Sequence, residues 1–131
     1  MSVEAVGFGD ASYNSNWCAT GGVDGTLKVW DLANGGQCRQ TCVMPIPDGE
    51  TNPPGITRIA WHKTSPSVIC STTDGSIHIW DARNGEHIQC LTGHRSVIND
   101  MVLTYANDGA AEVCSCGDDE SVRLFDAKLQ S

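Results

Sequence analysis

Positive charge is scarce in this chain: eight lysines and arginines stand against sixteen aspartates and glutamates, for a formal net charge of −8. That shortage argues against direct nucleic-acid binding, whose affinity rests on basic side chains neutralising phosphates. Long apolar runs are missing too. None of the 131 residues falls in anything near the ~18-residue apolar stretch a membrane helix needs, and no apolar signal segment follows Met1. No Asn-X-Ser/Thr acceptor occurs, and the helical 3.6-residue period hardly appears. Catalytic signatures are absent as well: no Gly-x-Ser-x-Gly, no His-Glu-x-x-His, no phosphate loop and no dinucleotide fingerprint. The expectation is a non-enzymatic cytoplasmic protein, also allowed in the nucleus, with no cofactor, no membrane contact and reduced thiols.

Cysteine, by contrast, is plentiful, with seven residues. Cys18, Cys70, Cys114 and Cys116 sit in apolar strand patterns, where a free thiol acts as a small hydrophobe. Cys38 with Cys42, and Cys114 with Cys116, lack a second pair of suitable ligands, so no zinc site is expected. Asp118-Asp119-Glu120 lacks the Asp-x-Asp-x-Asp-Gly spacing of a calcium loop and reads as an acidic turn.

What dominates the chain is a repeat. DGTLKVWD at Asp24–Asp31 recurs as DGSIHIWD at Asp74–Asp81 and, eroded, as DESVRLFD at Asp119–Asp126. Trp80 follows Trp30 by 50 residues and Phe125 follows Trp80 by 45. The longer first interval contains the Pro/Gly-rich stretch Met44–Gly55. A period of about 40–45 residues ending in Trp-Asp is the sign of a propeller blade. Short β-rich runs separated by Asp24-Gly25, Asn34-Gly35, Asp74-Gly75, Asn84-Gly85 and Asp108-Gly109 predict antiparallel hairpins, since these dipeptides supply positive φ. The prediction is an all-β chain, 1–131, of three four-stranded antiparallel meanders. Blade 1 covers about 2–43, a loop 44–55, blade 2 about 56–92 and blade 3 about 96–126, the last without its outer strand.

Asp-Gly-Thr-x-x-x-Trp-Asp with an upstream Gly93-His94 resembles the WD40 repeat, and the resemblance covers essentially the whole chain. More narrowly, VDGTLKVWDLANGG and SIHIWDARNGEHIQCLTGHRSVINDMVL are similar to carboxy-terminal repeats of the angio-associated migratory cell protein family. That family is related to a yeast WD-repeat chaperone of ribosome assembly. The WD40 resemblance implies a partial β-propeller with a hydrogen-bonded tetrad in each blade: a His, the turn Asp, a strand Ser or Thr, and the Trp indole. The third unit offers His94, Ser115 and Asp119, with Phe125 in the Trp position. The second keeps Asp74 and Trp80 but has Cys70 in the hydroxyl column and Asn52 or a Pro in place of His; the first keeps Thr20, Asp24 and Trp30.

The resemblance also implies partner binding on one rim. Val23, Thr73 and Asp118 precede the turn aspartates there, and Glu4, Thr57, Arg58, Arg95, Ser96 and Asn99 belong to the strand starts. Two functions follow. The first is a protein-binding scaffold that escorts a basic large-subunit ribosomal protein, consistent with the acidic charge. The second is a cullin-ligase substrate receptor docking through Trp80-Asp81-Ala82-Arg83. The flank built from Val3, Val6, Leu27 and Val29, or from residues alternating with them, and that around Val122 and Leu124 are expected to be apolar and uncovered. Either the remaining blades of a parent ring or a second copy would cover them. Trp30 and Trp80 are expected to pack between adjacent blades.

Overall fold

The computed structural model describes residues 3–8, 16–62, 66–92, 94, 96–105 and 111–127. Among the described residues, eleven strands fall into three antiparallel sheets, each a simple meander. The first contains β1 (Val3–Phe8), β2 (Trp17–Gly22), β3 (Thr26–Asp31) and β4 (Gln37–Val43). The second contains β5 (Ile56–Trp61), β6 (Ser67–Thr72), β7 (Ile77–Asp81) and β8 (His87–Leu91). The third contains β9 (Ile98–Tyr105), β10 (Ala111–Gly117) and β11 (Val122–Ala127). A 3-10 turn, Leu32–Asn34, follows β3.

The same local chemistry sets each β2–β3-type hairpin. Asp24, Asp74 and Asp119 each accept, through Oδ1, the amide proton two residues on, at 3.1 Å in all three sheets. This closes an Asx turn. Gly25 and Gly75 then take positive φ, 77° and 86°. Glu120 occupies that position in the third sheet with φ 63° and lacks glycine's freedom. The turns lock one register throughout: Cys18 opposes Trp30, Val68 opposes Trp80 and Val113 opposes Phe125.

Alternation along the strands then divides each sheet into two faces. Ala19, Leu27 and Val29 look from the first sheet onto Ile56, Trp61, Val68 and Trp80 of the second, forming one core. Ile69, Ile77 and Ile79 look from the second sheet onto Met101, Leu103, Val113 and Phe125 of the third, forming another. Leu27, Val29, Ile69, Ile77 and Ile79 are completely buried. Each contributes about 1.5–3 kcal/mol by leaving water. The sheets approach closely: a Cβ added at Gly7 would stand 2.8 Å from Ile59 Cγ2. Trp61 Nε1 donates to the Gly7 carbonyl at 3.0 Å, and its ring lies 6.3 Å from that of Trp17.

Two expectations change. Leu27 and Val29 do not belong to the uncovered flank; they are the first sheet's contribution to the core. The residues alternating with them, Lys28 and Trp30, share the flank with Val6 and Phe8, because a one-residue step on a strand reverses the face. Trp30 therefore lies half-buried on an outer flank, whereas Trp80 packs between two sheets.

Candidate functional site

Three polar clusters hold the sheets in register, and they differ from one sheet to the next. In the third, His94 is buried beside the hairpin turn. Its Nε2 lies 2.7 Å from Ser115 Oγ, and its Nδ1 is 3.2 Å from both oxygens of Asp119. Ser121 Oγ completes the cluster, 2.5 Å from Asp119 Oδ1 and 3.1 Å from His94 Nδ1. Phe125 meets the imidazole edge-on at 6.3 Å. In the first sheet, Trp30 Nε1 donates to Thr20 Oγ1 at 3.0 Å, and Asp24 serves the Thr26 amide. In the second, Cys70 stands where Thr20 does, and Trp80 Nε1 is buried with no partner in hydrogen-bond geometry. The Cys70 thiol supplies only a weak electrostatic contact there, and burial drives its pKa strongly up. Asn52, in the His94 position, is exposed and donates to Thr51 Oγ1 at 3.4 Å. Asp74 instead accepts from the buried Thr72 hydroxyl. Thr72 and Ser121 were not singled out from the sequence; a hydroxyl two residues from the turn aspartate is the signal that points to them.

Candidate rim residues converge on a cleft of ≈970 Å³. Val23, Thr57, Arg58, Thr73 and Asn99 line it. Asp118 stands beside it, accepting from Asn99 Nδ2 at 2.7 Å. Ser96 is half-buried and does not line the cleft; its carbonyl lies against the Gly75 turn. Glu4 starts in β1 with its side chain outside the described residues, and Arg95 lies outside them altogether.

The other wall is the segment Met44–Gly55, which the sequence marked as a loop of extra length with Asn52 or a Pro in place of the tetrad His. Pro47, Asp48, Glu50, Asn52, Pro53 and Pro54 all line the cleft. Both ends of the segment are anchored. Met44 is buried, donates its amide to the Gly25 carbonyl at 2.8 Å, and sets its sulfur 3.6 Å from that of Cys70. Gly55 exchanges two hydrogen bonds with Thr73, at 3.1 and 2.9 Å. Asp48, Glu50 and Asp74 give the lining three carboxylates. Among the described residues the only basic side chain lining it is Arg58, whose Nε is 3.4 Å from Asp100.

The Trp80-Asp81-Ala82-Arg83 box is largely turned inward. Trp80 and Ala82 are buried, and Arg83 grips its own Asp81 through Nε at 3.1 Å and a terminal nitrogen at 2.9 Å. That fork holds the Asp81 carboxyl below its usual range. A second polar pair lies nearby: His78 Nδ1 is 3.0 Å from His87 Nε2, and the Trp80 and His87 rings are 4.6 Å apart. Burial, helped by His87, lowers the His78 pKa to about 4. Among the described residues no group of three or more His, Cys, Asp or Glu side chains is arranged to hold a metal ion. No helix among them is long and apolar enough to cross a membrane. The cysteines are free thiols, with Cys18, Cys42 and Cys70 buried.

The family model of the WD domain, G-beta repeat (WD40), matches residues 4–31, 36–81 and 85–126. These matched units are offset from the sheets: the second joins β4 to β5–β7 and the third joins β8 to β9–β11. Human angio-associated migratory cell protein is 31% identical over 89% of this chain and 24% of its own length. The U5 small nuclear ribonucleoprotein 40 kDa protein of Dictyostelium discoideum is 31% identical over 84% of this chain and 28% of its own. Rat Coronin-7 is 26% identical over 86% of this chain and 12% of its own. Among solved structures, Saccharomyces cerevisiae Sqt1 superposes with a TM-score of 0.78 at 20% identity, covering 98% of this chain and 31% of that one. The chain thus spans under a third of the length of each. Three matched repeats, three meanders in a common register and a shared turn chemistry place this chain in the WD40 repeat family.

Proposed function

We propose that this WD40 segment is a non-enzymatic protein-interaction scaffold whose rim cleft receives a basic polypeptide. The observation that supports this reading is the cleft's sign: Asp48, Glu50 and Asp74 line it, and Arg58 is held by Asp100. A chain of net charge −8 adds long-range attraction for such a client. The finer reading is an assembly chaperone for a basic ribosomal protein of the large subunit, working in the cytoplasm. The resemblance to the angio-associated migratory cell protein family supports it, at 31% identity to the human protein.

The test is a titration of labelled lysine/arginine-rich and glutamate-rich peptides of equal length. The basic peptide is expected to bind with an affinity that falls as salt rises. Asp48→Lys with Glu50→Lys should weaken it at least tenfold. Equal binding of both peptides, or no effect of the double variant, would overturn the cleft assignment. A pull-down from cytosol separates the finer readings: ribosomal proteins support the chaperone, ligase adaptor subunits the receptor. The receptor reading has little structural support, since only Arg83 of its box is exposed and Asp81 engages it.

A further inference from the structure

The turn aspartates of the second and third sheets occupy one position and are used in two ways. Thr73 and Asp118 donate their amides to the Gly55 and Val97 carbonyls, each at 2.9 Å. Thr72 and Gly117 donate theirs to the Ser76 and Ser121 carbonyls, so the two turns correspond residue for residue. In the third sheet, His94 Nδ1 lies 3.2 Å from both Asp119 oxygens, and the Asp119 side chain is only 8% exposed. In the second, Asn52 takes the His94 position and turns to Thr51 instead. Thr72 takes the position of Gly117, where a Cβ would stand 3.3 Å from His94 Nδ1. The Thr72 hydroxyl and the Ser76 amide both use Asp74 Oδ1. Asp74 is exposed and lines the cleft, and its Oδ2 has no hydrogen bond or ion pair to any described residue.

We propose that Asp74 is the specificity-determining residue of the cleft: a lysine or arginine side chain of the client donates to Asp74 Oδ2, supplying from outside the nitrogen donor that His94 supplies to Asp119. This rests on the reading of the cleft as a basic-polypeptide site and adds which carboxylate anchors the client. Asp74 differs from Asp48 and Glu50 in being held. Two donors fix its Oδ1, so the carboxylate is oriented before the client arrives and less freedom is lost on binding. Asp48 and Glu50 are exposed on the turn that the Glu50 amide closes on the Pro47 carbonyl at 3.0 Å. They add attraction without a fixed orientation. Val23, Pro53, Pro54 and Val97 give the cleft apolar surface for the methylene stem of a long cationic side chain. Arg58 does not compete for Asp74, since its Nε lies 3.4 Å from Asp100 and a terminal nitrogen donates to the Thr57 carbonyl at 2.9 Å. A charged donor on an ionised carboxylate makes a stronger hydrogen bond than a neutral pair, which selects lysine or arginine over a neutral side chain.

The test titrates the labelled lysine/arginine-rich peptide against Asp74→Asn. Asparagine keeps Oδ1 as the acceptor for Ser76 and Thr72 and removes the charge and Oδ2. The variant should bind the peptide at least about fivefold more weakly, with its thermal midpoint unchanged. When the peptide's cations are replaced one at a time by alanine, one replacement should weaken binding to the parent chain and have no further effect on Asp74→Asn. Asp74→Asn binding as tightly as the parent, while Asp48→Lys with Glu50→Lys weakens binding, refutes the anchor and leaves the cleft reading standing. No binding of the basic peptide, or equal binding of the glutamate-rich one, refutes the cleft reading and the anchor with it. A lowered thermal midpoint with unchanged affinity, the result expected of Asp119→Asn, would make Asp74 a turn residue only, and the proposal fails. The unmodified chain gives a second readout that does not depend on the variant folding. A carbodiimide joins the peptide's lysine amines to the carboxylates they touch, and mass spectrometry should find the cross-link on Asp74. Cross-links confined to Asp48 and Glu50 would overturn the assignment.

Discussion

His94 and Ser115 are joined by a 2.7 Å hydrogen bond between Nε2 and Oγ, with both residues buried. With Nδ1 on Asp119, the imidazole has a partner on each ring nitrogen. Ser115→Ala leaves a buried ring nitrogen without one. It should destabilise the chain by about 1–3 kcal/mol, the cost of an unmet buried polar group. Urea unfolding measures it, and a loss within the scatter of surface substitutions would show that this cluster does not hold the third sheet.

The turn positions separate by residue type. A Cβ at Gly75 would lie 2.6 Å from the His94 carbonyl oxygen, and φ there is 86°. Gly75→Ala should cost more than about 2 kcal/mol, since strain and a backbone clash add. Glu120 already has φ 63°, so Glu120→Gly should stabilise by about 0.5–1 kcal/mol. Paired thermal melts check both signs.

Trp80 fills the space between the first two sheets at 6% exposure. Trp80→Ala opens a cavity and should cost on the order of 3–5 kcal/mol. Trp30→Ala, on an outer flank, should cost less than half of that in a monomeric background. Equal losses from the two would mean that the flank is covered in solution.

His78 carries a pH dependence with a definite sign. Its pKa is lowered from 6.5 to about 4 by burial and by His87, with Asp74 opposing. Cys70 and Cys90 flank it across the sheet. The unfolded chain therefore binds a proton at a pH where the folded one does not. The contribution is fully present above pH 6.5 and is lost as pH falls from there to about 4. It amounts to at most about 3 kcal/mol. His87 and His62, also lowered by burial, act in the same direction. Denaturation midpoints between pH 7 and 4 should fall, and His78→Gln should flatten the curve.

Native-state alkylation should rank the thiols. Cys38, Cys90 and Cys116 are exposed. Cys42 is pushed up to about 11 by burial with Cys38 adding, and Cys70 is shifted further. The exposed three should react first and Cys70 last, because the thiolate is the reactive form. A Cys38–Cys42 or Cys114–Cys116 disulfide from freshly lysed cells would overturn the reduced-compartment reading.

The repeat by itself determined the strands, their order and the turns. A carboxylate, a glycine and an alternating apolar run are local instructions, and Asp24, Asp74 and Asp119 each act within two residues of themselves. His94 was legible only through the resemblance to the WD40 repeat, which implies a His for the turn Asp; it stands 25 residues before Asp119. Which face of a strand is covered was not legible. Leu27 and Lys28 differ by one step on β3, and only the docked second sheet makes the first of them core and leaves the second on a flank. The cleft wall was hidden for a related reason. Met44–Gly55 has no periodicity to read, and its place over the rim follows from contacts distant in sequence: Met44 against Cys70, Gly55 against Thr73. Local chemistry determined each hairpin, while the packing of one sheet on the next decided which surfaces remained for a partner.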